Sequence, residues 1–472
     1  MTPRPSSSLR PRLRETDPSI RSQPEMHRPL MALALALGMP LTPLANADLH
    51  SYVTTPDPSY RWEQTKNDTT PIGTVHHLDL TSQTWRDIPW THQFRIYEPA
   101  QVDHEDIMVL FITGGSSRSQ HKPSDDLQAF AIASAAGCRV AVLPQVPNQP
   151  LLGDRVEDDL ISETFVNFLE TGEEDWPLLQ PMVKSAVRAM DAAQEFGERR
   201  GRPVSRFVVT GASKRGWTTW LTGAVDDRVA AIAPMVIPTL NMKANTENQM
   251  ALWGKYSEQI EDYTRRGLTE TFDTEEGRKL WRIVDPYFYL DRIDIPVLQI
   301  NGTNDRYWTH DSMRFYWDDI RGPKSVIYLP NAGHGLEEHR DYAINGLGAL
   351  VRQLATGAER PRFSWRTVDE GGVAHYILTV PSGPMPKEVK VWVARSSDRD
   401  LRDDRYESQA VAPELGGGSA TWTLSLDRPE SGSVAALFDL TFEIDGIDYH
   451  LTTPIHEFRP DPSEDTGVGE QD

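Results

Sequence analysis

Three short segments carry residues able to perform acyl transfer. Ser213 closes the run Phe207-Val208-Val209-Thr210-Gly211-Ala212-Ser213, and Lys214-Arg215-Gly216-Trp217 follows it. A β-branched stretch ending in Gly-x-Ser ahead of a helical pattern is the setting of a nucleophile elbow, where a sharp strand-to-helix turn exposes the serine hydroxyl. Asp305 comes after a second apolar run, Pro296 to Ile300, and His334 sits in Asn331-Ala332-Gly333-His334-Gly335 after a third, Val326 to Leu329. A serine hydroxyl is a weak nucleophile until an imidazole takes its proton, and a carboxylate must orient that imidazole. Ser213, His334 and Asp305 are the candidates for those roles. Asp311 or Asp285 is the alternative acid, and His310 or His339 the alternative base.

Acyl transfer also requires hydrogen-bond donors aimed at the developing oxyanion. The backbone amide of Lys214 is one candidate. Gly114 and Gly115, directly after the apolar run Ile107 to Thr113, are the others, since glycine lets backbone approach a substrate closely. The elbow departs from Gly-x-Ser-x-Gly: Arg215 stands at the last position and glycine arrives one residue later, as Gly216. Lys214 and Arg215 beside the nucleophile, and Arg306 beside the acid, suit either a substrate carboxylate or pairing with acids of this chain. Trp217 and Trp308 are expected to line the substrate site. His334, Glu337, Glu338 and His339 raise a metal site, but a five-residue spacing turns the two histidines about 140° apart on a helix, so zinc is not expected. The chemistry calls for no cofactor.

Apolar runs over Ile107–Thr113, Arg139–Leu143, Phe207–Thr210, Val229–Ile237, Pro296–Ile300 and Ser325–Leu329 read as strands buried on both faces. Residues 178–199 carry apolar groups at three-to-four spacing, a helix. Alternation of the two predicts an α/β class with a mostly parallel sheet. With serine, acid and histidine each beyond a strand end and in that chain order, the expectation is an α/β-hydrolase fold. The catalytic domain is expected over residues 48–358, entered through a β-rich stretch. Residues 241–290, rich in Asn, Glu, Tyr and Trp, read as a cap inserted between two strands. From 359 to 458 short alternating strands, with Asp445-Gly446 as a hairpin turn, predict a small all-β sandwich domain. Residues 459–472 are acidic and apolar-poor, and a disordered tail is expected.

The formal charge of the 472 residues is −21, which argues against nucleic acid and anionic membrane as partners. Arg28, the apolar stretch Leu30 to Leu37 and Ala45-Asn46-Ala47 follow the pattern of a cleaved secretory signal, with Met26 as an alternative start. The stretch is too short for a permanent membrane anchor. The expected location is therefore periplasmic or secreted. The single cysteine, Cys138, lies at the start of an apolar run and reads as structural.

Taken together, the segments Gly211 to Trp220, Pro234 to Ile237, Asn301 to Asp305 and Asn331 to His334 resemble the PhoPQ-activated pathogenicity-related protein family. The resemblance runs from about residue 48 to 458. It implies an exported α/β-hydrolase-like protein with a C-terminal β-domain, linked to bacterial responses to envelope stress and host conditions. It also implies kinship with serine peptidases of the prolyl-oligopeptidase kind, although the N-terminal propeller of those enzymes is not seen. The functional expectation is an exported serine hydrolase, peptidase-like, acting on a small peptide or ester through an acyl-enzyme. Glucuronoyl esterases also resemble the elbow, with a basic residue directly after the serine and glycine three residues after it, so a carbohydrate esterase is an alternative. A non-catalytic binding or signalling protein on the same fold is another.

Overall fold

From Leu49 onward the chain forms an antiparallel entry and then alternates strands with helices. The computed structural model describes residues 49–416, 418–464 and 469–471, so the export segment expected over residues 1–47 lies outside them. Helix α1 (Leu49–Thr54) leads into β1 (Arg61–Thr70), β2 (Gly73–Trp85) and β3 (Ile88–Pro99), paired antiparallel in that order. Next come β4 (Ile107–Ile112), α2 (Pro123–Ala136), β5 (Arg139–Leu143), α3 (Glu157–Thr171), α4 (Leu179–Arg199), β6 (Arg206–Ala212), α5 (Lys214–Gly223) and β7 (Val229–Met235). Every residue of β4 and β5 is buried, as strands covered on both faces must be. α2 packs on α9 (Arg340–Thr356), and α4 packs on α5. The α4 stripe that marks it as a helix, from Leu179 through Met182, Ala186 and Met190 to Phe196, is the face it buries.

Between β7 and the next strand the chain leaves the sheet for α6 (Met242–Trp253), α7 (Glu261–Thr264) and α8 (Glu275–Val284). It then returns as β8 (Val297–Gly302) and β9 (Lys324–Leu329). α7 and α8 rest on α3. The sheet runs β1-β2-β3-β5-β4-β6-β7-β8-β9, parallel from β5 to β9. This is an α/β-hydrolase fold. The ends of β6, β8 and β9 carry the nucleophile, acid and histidine candidates to one edge of the sheet, where open α/β sheets place their sites.

The C-terminal part contains β10 (Phe363–Glu370), β11 (Val373–Val380), β12 (Glu388–Ser396), β13 (Glu407–Ala410), β14 (Glu414–Gly416), β15 (Ser419–Asp427), β16 (Ser433–Ile444), β17 (Ile447–Thr452), β18 (His456–Phe458) and β19 (Gly469–Gln471). Asp445 and Gly446 both have positive φ, 50° and 78°, the geometry of the tight hairpin their types suggest. One sheet has the order β14-β15-β11-β10-β19; the other strands extend the catalytic sheet, because β17 pairs with β9 through Thr452 and Val326. Change of pattern near residue 358 therefore marks a change of layer rather than a separate body: the α/β and β parts lie in one compact unit, Ala47–Asp472.

The expectation of a disordered tail over residues 459–472, of which 465–468 and 472 lie outside the described residues, is corrected at Gly469–Gln471. Gly469–Gln471 pairs with β10, and Gln471 is 1% exposed. Its Oε1 accepts a hydrogen bond from the Val326 amide (3.1 Å), and Thr452 Oγ1 accepts one from Tyr328 N (3.0 Å). These side chains satisfy the open edge of β9, a need that composition alone does not reveal. Cys138 is buried, and burial pushes its thiol up to about 12. Among the described residues no helix is long and apolar enough to cross a membrane.

Candidate active site

Ser213 occupies the one-residue junction between β6 and α5 with φ 59° and ψ −125°, a backbone conformation that L-residues rarely adopt. Two hydrogen bonds hold it there, Ser213 N to Met235 O (2.8 Å) and Trp217 N to Ser213 O (2.9 Å). The displaced glycine of the motif has a physical reason. A Cβ at Gly216 would stand 2.8 Å from both Ile237 Cγ2 and Met235 O, so glycine is required where α5 crosses the end of β7. Arg215 is tolerated because its side chain leaves the elbow altogether.

Asp305 and His334 meet. His334 Nδ1 lies 2.8 Å from Asp305 Oδ2, and the carboxylate is fixed from its other oxygen by the Tyr307 amide (2.9 Å). The Tyr307 ring stacks on the imidazole at 4.0 Å between centroids. The far nitrogen, His334 Nε2, is buried and makes no hydrogen bond among the described residues. Ser213 and Tyr307 line one cleft, while Ala212, one residue before the serine, and His334 line another. The acid and histidine loops are also clamped from the β part. Asn304 Nδ2 donates to Leu401 O (3.0 Å) and Asp404 O (2.7 Å), and the Asn331 amide exchanges hydrogen bonds with the backbone of Tyr406 (3.0 and 2.7 Å).

The cleft at Ser213, about 650 Å³, is roofed by the insertion. Met242, Ile260, Leu268, Phe272 and Trp281 come from it, facing Ile237, Trp217, Tyr307 and Trp308. Phe272 stacks on Trp281 at 4.6 Å. Trp217 and Trp308 both line this cleft, their indole N–H groups donating to Val284 O and Val236 O.

The cations behave otherwise. Lys214 Nζ is 3.0 Å from both Glu157 and Asp158, and Arg215 forms a two-pronged pair with Glu157 (2.7 Å each). Arg306 points outward to Asp403 and Glu258. As cations for a substrate carboxylate, Lys214, Arg215 and Arg306 are therefore corrected: each is neutralised by acids of this chain. Burial raises the Glu157 carboxyl, but the hydrogen bond and charge of Arg215 and the charge of Lys214 outweigh it and hold the group at about 2.

Gly114 and Gly115 do not line the Ser213 cleft; they line a neighbouring polar one, and a Cβ at Gly114 would run into the Arg215 guanidinium. The alternative residues have other work. Asp285 accepts amides of Met242 and Tyr287, Asp311 takes Asn248, His310 faces Glu457, and His339 packs on Tyr342 and Trp392. No cluster of metal-ligating side chains occurs among the described residues. Glu157, Asp158, Tyr307 and the two asparagine clamps were missed as site residues. Only Asn304 and Asn331 had a signal, as members of the motifs that carry the resemblance.

Residues 49–402 match the PhoPQ-activated pathogenicity-related protein family. The chain is 36% identical over 441 residues to the autocrine proliferation repressor protein A of Dictyostelium discoideum, covering 86% of this chain and 87% of that one. Among solved structures, acetyl xylan esterase 1 from Thermoanaerobacterium sp. aligns with a TM-score of 0.44 at 18% identity, over 66% of this chain and 93% of its own. A glucuronoyl esterase from Solibacter usitatus aligns with a TM-score of 0.41 at 13% identity, over 63% and 87%.

Proposed function

The chain belongs to the PhoPQ-activated pathogenicity-related protein family, and from that premise we propose that it is an exported serine hydrolase with Ser213 as nucleophile, His334 as base and then acid, and Asp305 as the group that orients the imidazole. The observation that carries this reading is the Asp305–His334 pair: a buried carboxylate fixes one imidazole nitrogen and the other is left without a protein partner, while Ser213 stands at a strained strand-to-helix elbow. In the proposed reaction Ser213 Oγ attacks the substrate carbonyl while His334 Nε2 takes the hydroxyl proton. The imidazolium returns that proton to the leaving group, and water then cleaves the acyl-enzyme by the same path. The amide of Lys214, at the N-terminus of α5, is the oxyanion donor closest in sequence to the nucleophile.

The acyl group enters the cleft beneath the insertion. Aromatic and aliphatic walls, with the lining charges Lys214 and Asp158 paired to each other and Arg215 held by Glu157 outside the lining, favour a neutral, apolar acyl group of a peptide or ester. The same balance weighs against a uronate recognised by Arg215.

A signalling role on an idle hydrolase fold is the second reading. It is favoured by the name of the Dictyostelium relative and by the unfilled hydrogen bond at His334 Nε2. Fluorophosphonate labelling of the purified protein separates the two. Labelling that disappears in Ser213→Ala and His334→Ala supports the hydrolase; a folded wild type that stays unlabelled refutes it.

A further inference from the structure

Among the described residues five arginines are buried: Arg95, Arg139, Arg215, Arg352 and Arg402. Four are paired with carboxylates, Arg139 with Glu105, Arg215 with Glu157, Arg352 with Asp445 and Arg402 with Asp400. Arg95 is 4% exposed and forms no ion pair among the described residues. One Nη donates to Gln93 Oε1 (3.1 Å), and its Nε is buried with no acceptor. Burying a charge without a counter-charge is costly, so the position calls for an anion from outside the chain.

The surroundings fit one. Arg95 lines a polar cleft of about 920 Å³ together with Gly114, Gly115, Gln145, His121 and Lys122. The one carboxylate in that lining, Asp125, accepts the Lys122 amide (3.4 Å), while His121 is held by Asp126, outside the lining (2.9 Å). The surplus is cationic on a chain of formal charge −21.

Register connects this cleft to the catalytic candidates. His77, Arg95, Val142, Phe111 and Thr210 form one row across β2, β3, β5, β4 and β6. A second cleft, about 1480 Å³, shares Phe111, Asp125 and Gln128 with the first and runs to Ala212 and His334. The histidine protonates the leaving group in acyl transfer, so space against His334 is leaving-group space. Three strand spacings separate Arg95 from Thr210, about 14 Å. Subtracting the reach of the arginine leaves about two or three extended residues at ~3.3 Å each.

We propose that this cleft is an oxyanion site in which Arg95 receives a carboxylate or phosphate carried by the leaving group of the substrate. The site itself stands on Arg95 and its cleft; its place on the leaving-group side rests on the hydrolase reading above.

The test is calorimetric titration of the full chain with inorganic phosphate and, separately, with acetate, in the wild type and in Arg95→Gln and Lys122→Ala. Saturable binding of at least one anion is expected, weakened at least tenfold by Arg95→Gln and a few-fold by the rim variant Lys122→Ala. Binding of phosphate alone assigns a phosphoryl leaving group; binding of acetate, alone or with phosphate, assigns a carboxylate. No binding by the wild type, or binding untouched by either variant, overturns the site. Should Arg95→Gln lose its circular dichroism spectrum, Lys122→Ala decides. Anion binding through Arg95 in a chain whose serine ignores the fluorophosphonate upholds the site and overturns its leaving-group role.

Discussion

Replacing Ser213 by glycine should make the protein more stable than replacing it by alanine, although both changes remove the same hydroxyl. At φ 59° and ψ −125° a Cβ is strained, and the position is held there by the Met235 and Trp217 hydrogen bonds whatever its side chain. Such strain is worth about 1–3 kcal/mol. Glycine relieves it but loses roughly 0.5–1 kcal/mol through the greater freedom of the unfolded chain. The net advantage of Ser213→Gly over Ser213→Ala is then about 1 kcal/mol. Each kcal/mol moves the melting temperature of a 150–250-residue domain by about 2–4 °C, and less in a larger body, so roughly 1–2 °C is expected here. The alanine variant should melt close to the wild type, because Ser213 Oγ makes no hydrogen bond among the described residues. Differential scanning calorimetry of the three proteins side by side measures the order. A glycine variant that melts at or below the alanine variant would refute the claim that the elbow stores strain, and with it the argument that this serine is held exposed for chemistry.

Three further outcomes are expected. Asp305→Asn should keep the fold and slow fluorophosphonate labelling by about 10³–10⁴-fold, because the amide stabilises the wrong imidazole tautomer; a loss under tenfold would argue against the orienting role. Glu157 sits at about 2 in the folded protein against an ordinary 4.5, so its contribution to stability is complete above about pH 4.5 and is lost as pH falls toward 2. Glu157→Gln should therefore melt lower than wild type at pH 7, and the gap should close between pH 4.5 and 2; a constant gap from pH 7 to pH 3 would contradict the pairing. Asn304→Ala should cost about 1–3 kcal/mol by stripping donors from backbone carbonyls, and should slow labelling beyond what the lost stability explains. Unchanged labelling would mean the clamp serves folding alone.

The sheet was legible because strands buried on both faces must be apolar throughout, and β4, β5 and β6 announce themselves that way. The candidate serine, acid and histidine were legible as positions because each lies within a few residues of the end of such a run. Partners of the cations were not. Nothing in the spacing of Glu157 from Arg215 says that the start of α3 will fold beneath the elbow, since the contact spans 58 residues and depends on the path of the loop after β5. Arg95 was hidden for the opposite reason: within the mixed stretch His92 to Tyr97 an arginine reads as a solvent-facing strand residue, and only the row that places it beside Val142 and Phe111 shows it to be buried.

The β part is legible as strands yet its relation to the chemistry is not, and here the structure changes the reading most. Residues 401–406 lie between β12 and β13, and their carbonyls and amides grip Asn304, one residue before the acid, and Asn331, three before the histidine. Cation–π contact of Arg402 over Trp253, at 3.9 Å, ties the same loop to the end of α6 in the insertion. A single segment thus touches the acid loop, the histidine loop and the roof. Any force that shifts it acts on all three at once, so the spacing between Asp305 and His334 depends on how the sandwich is seated. That dependence makes the β part a component of the candidate site, and it predicts that substitutions in 401–406 will alter labelling rate at unchanged Ser213 chemistry more than substitutions of equal cost to stability in β14 or β15.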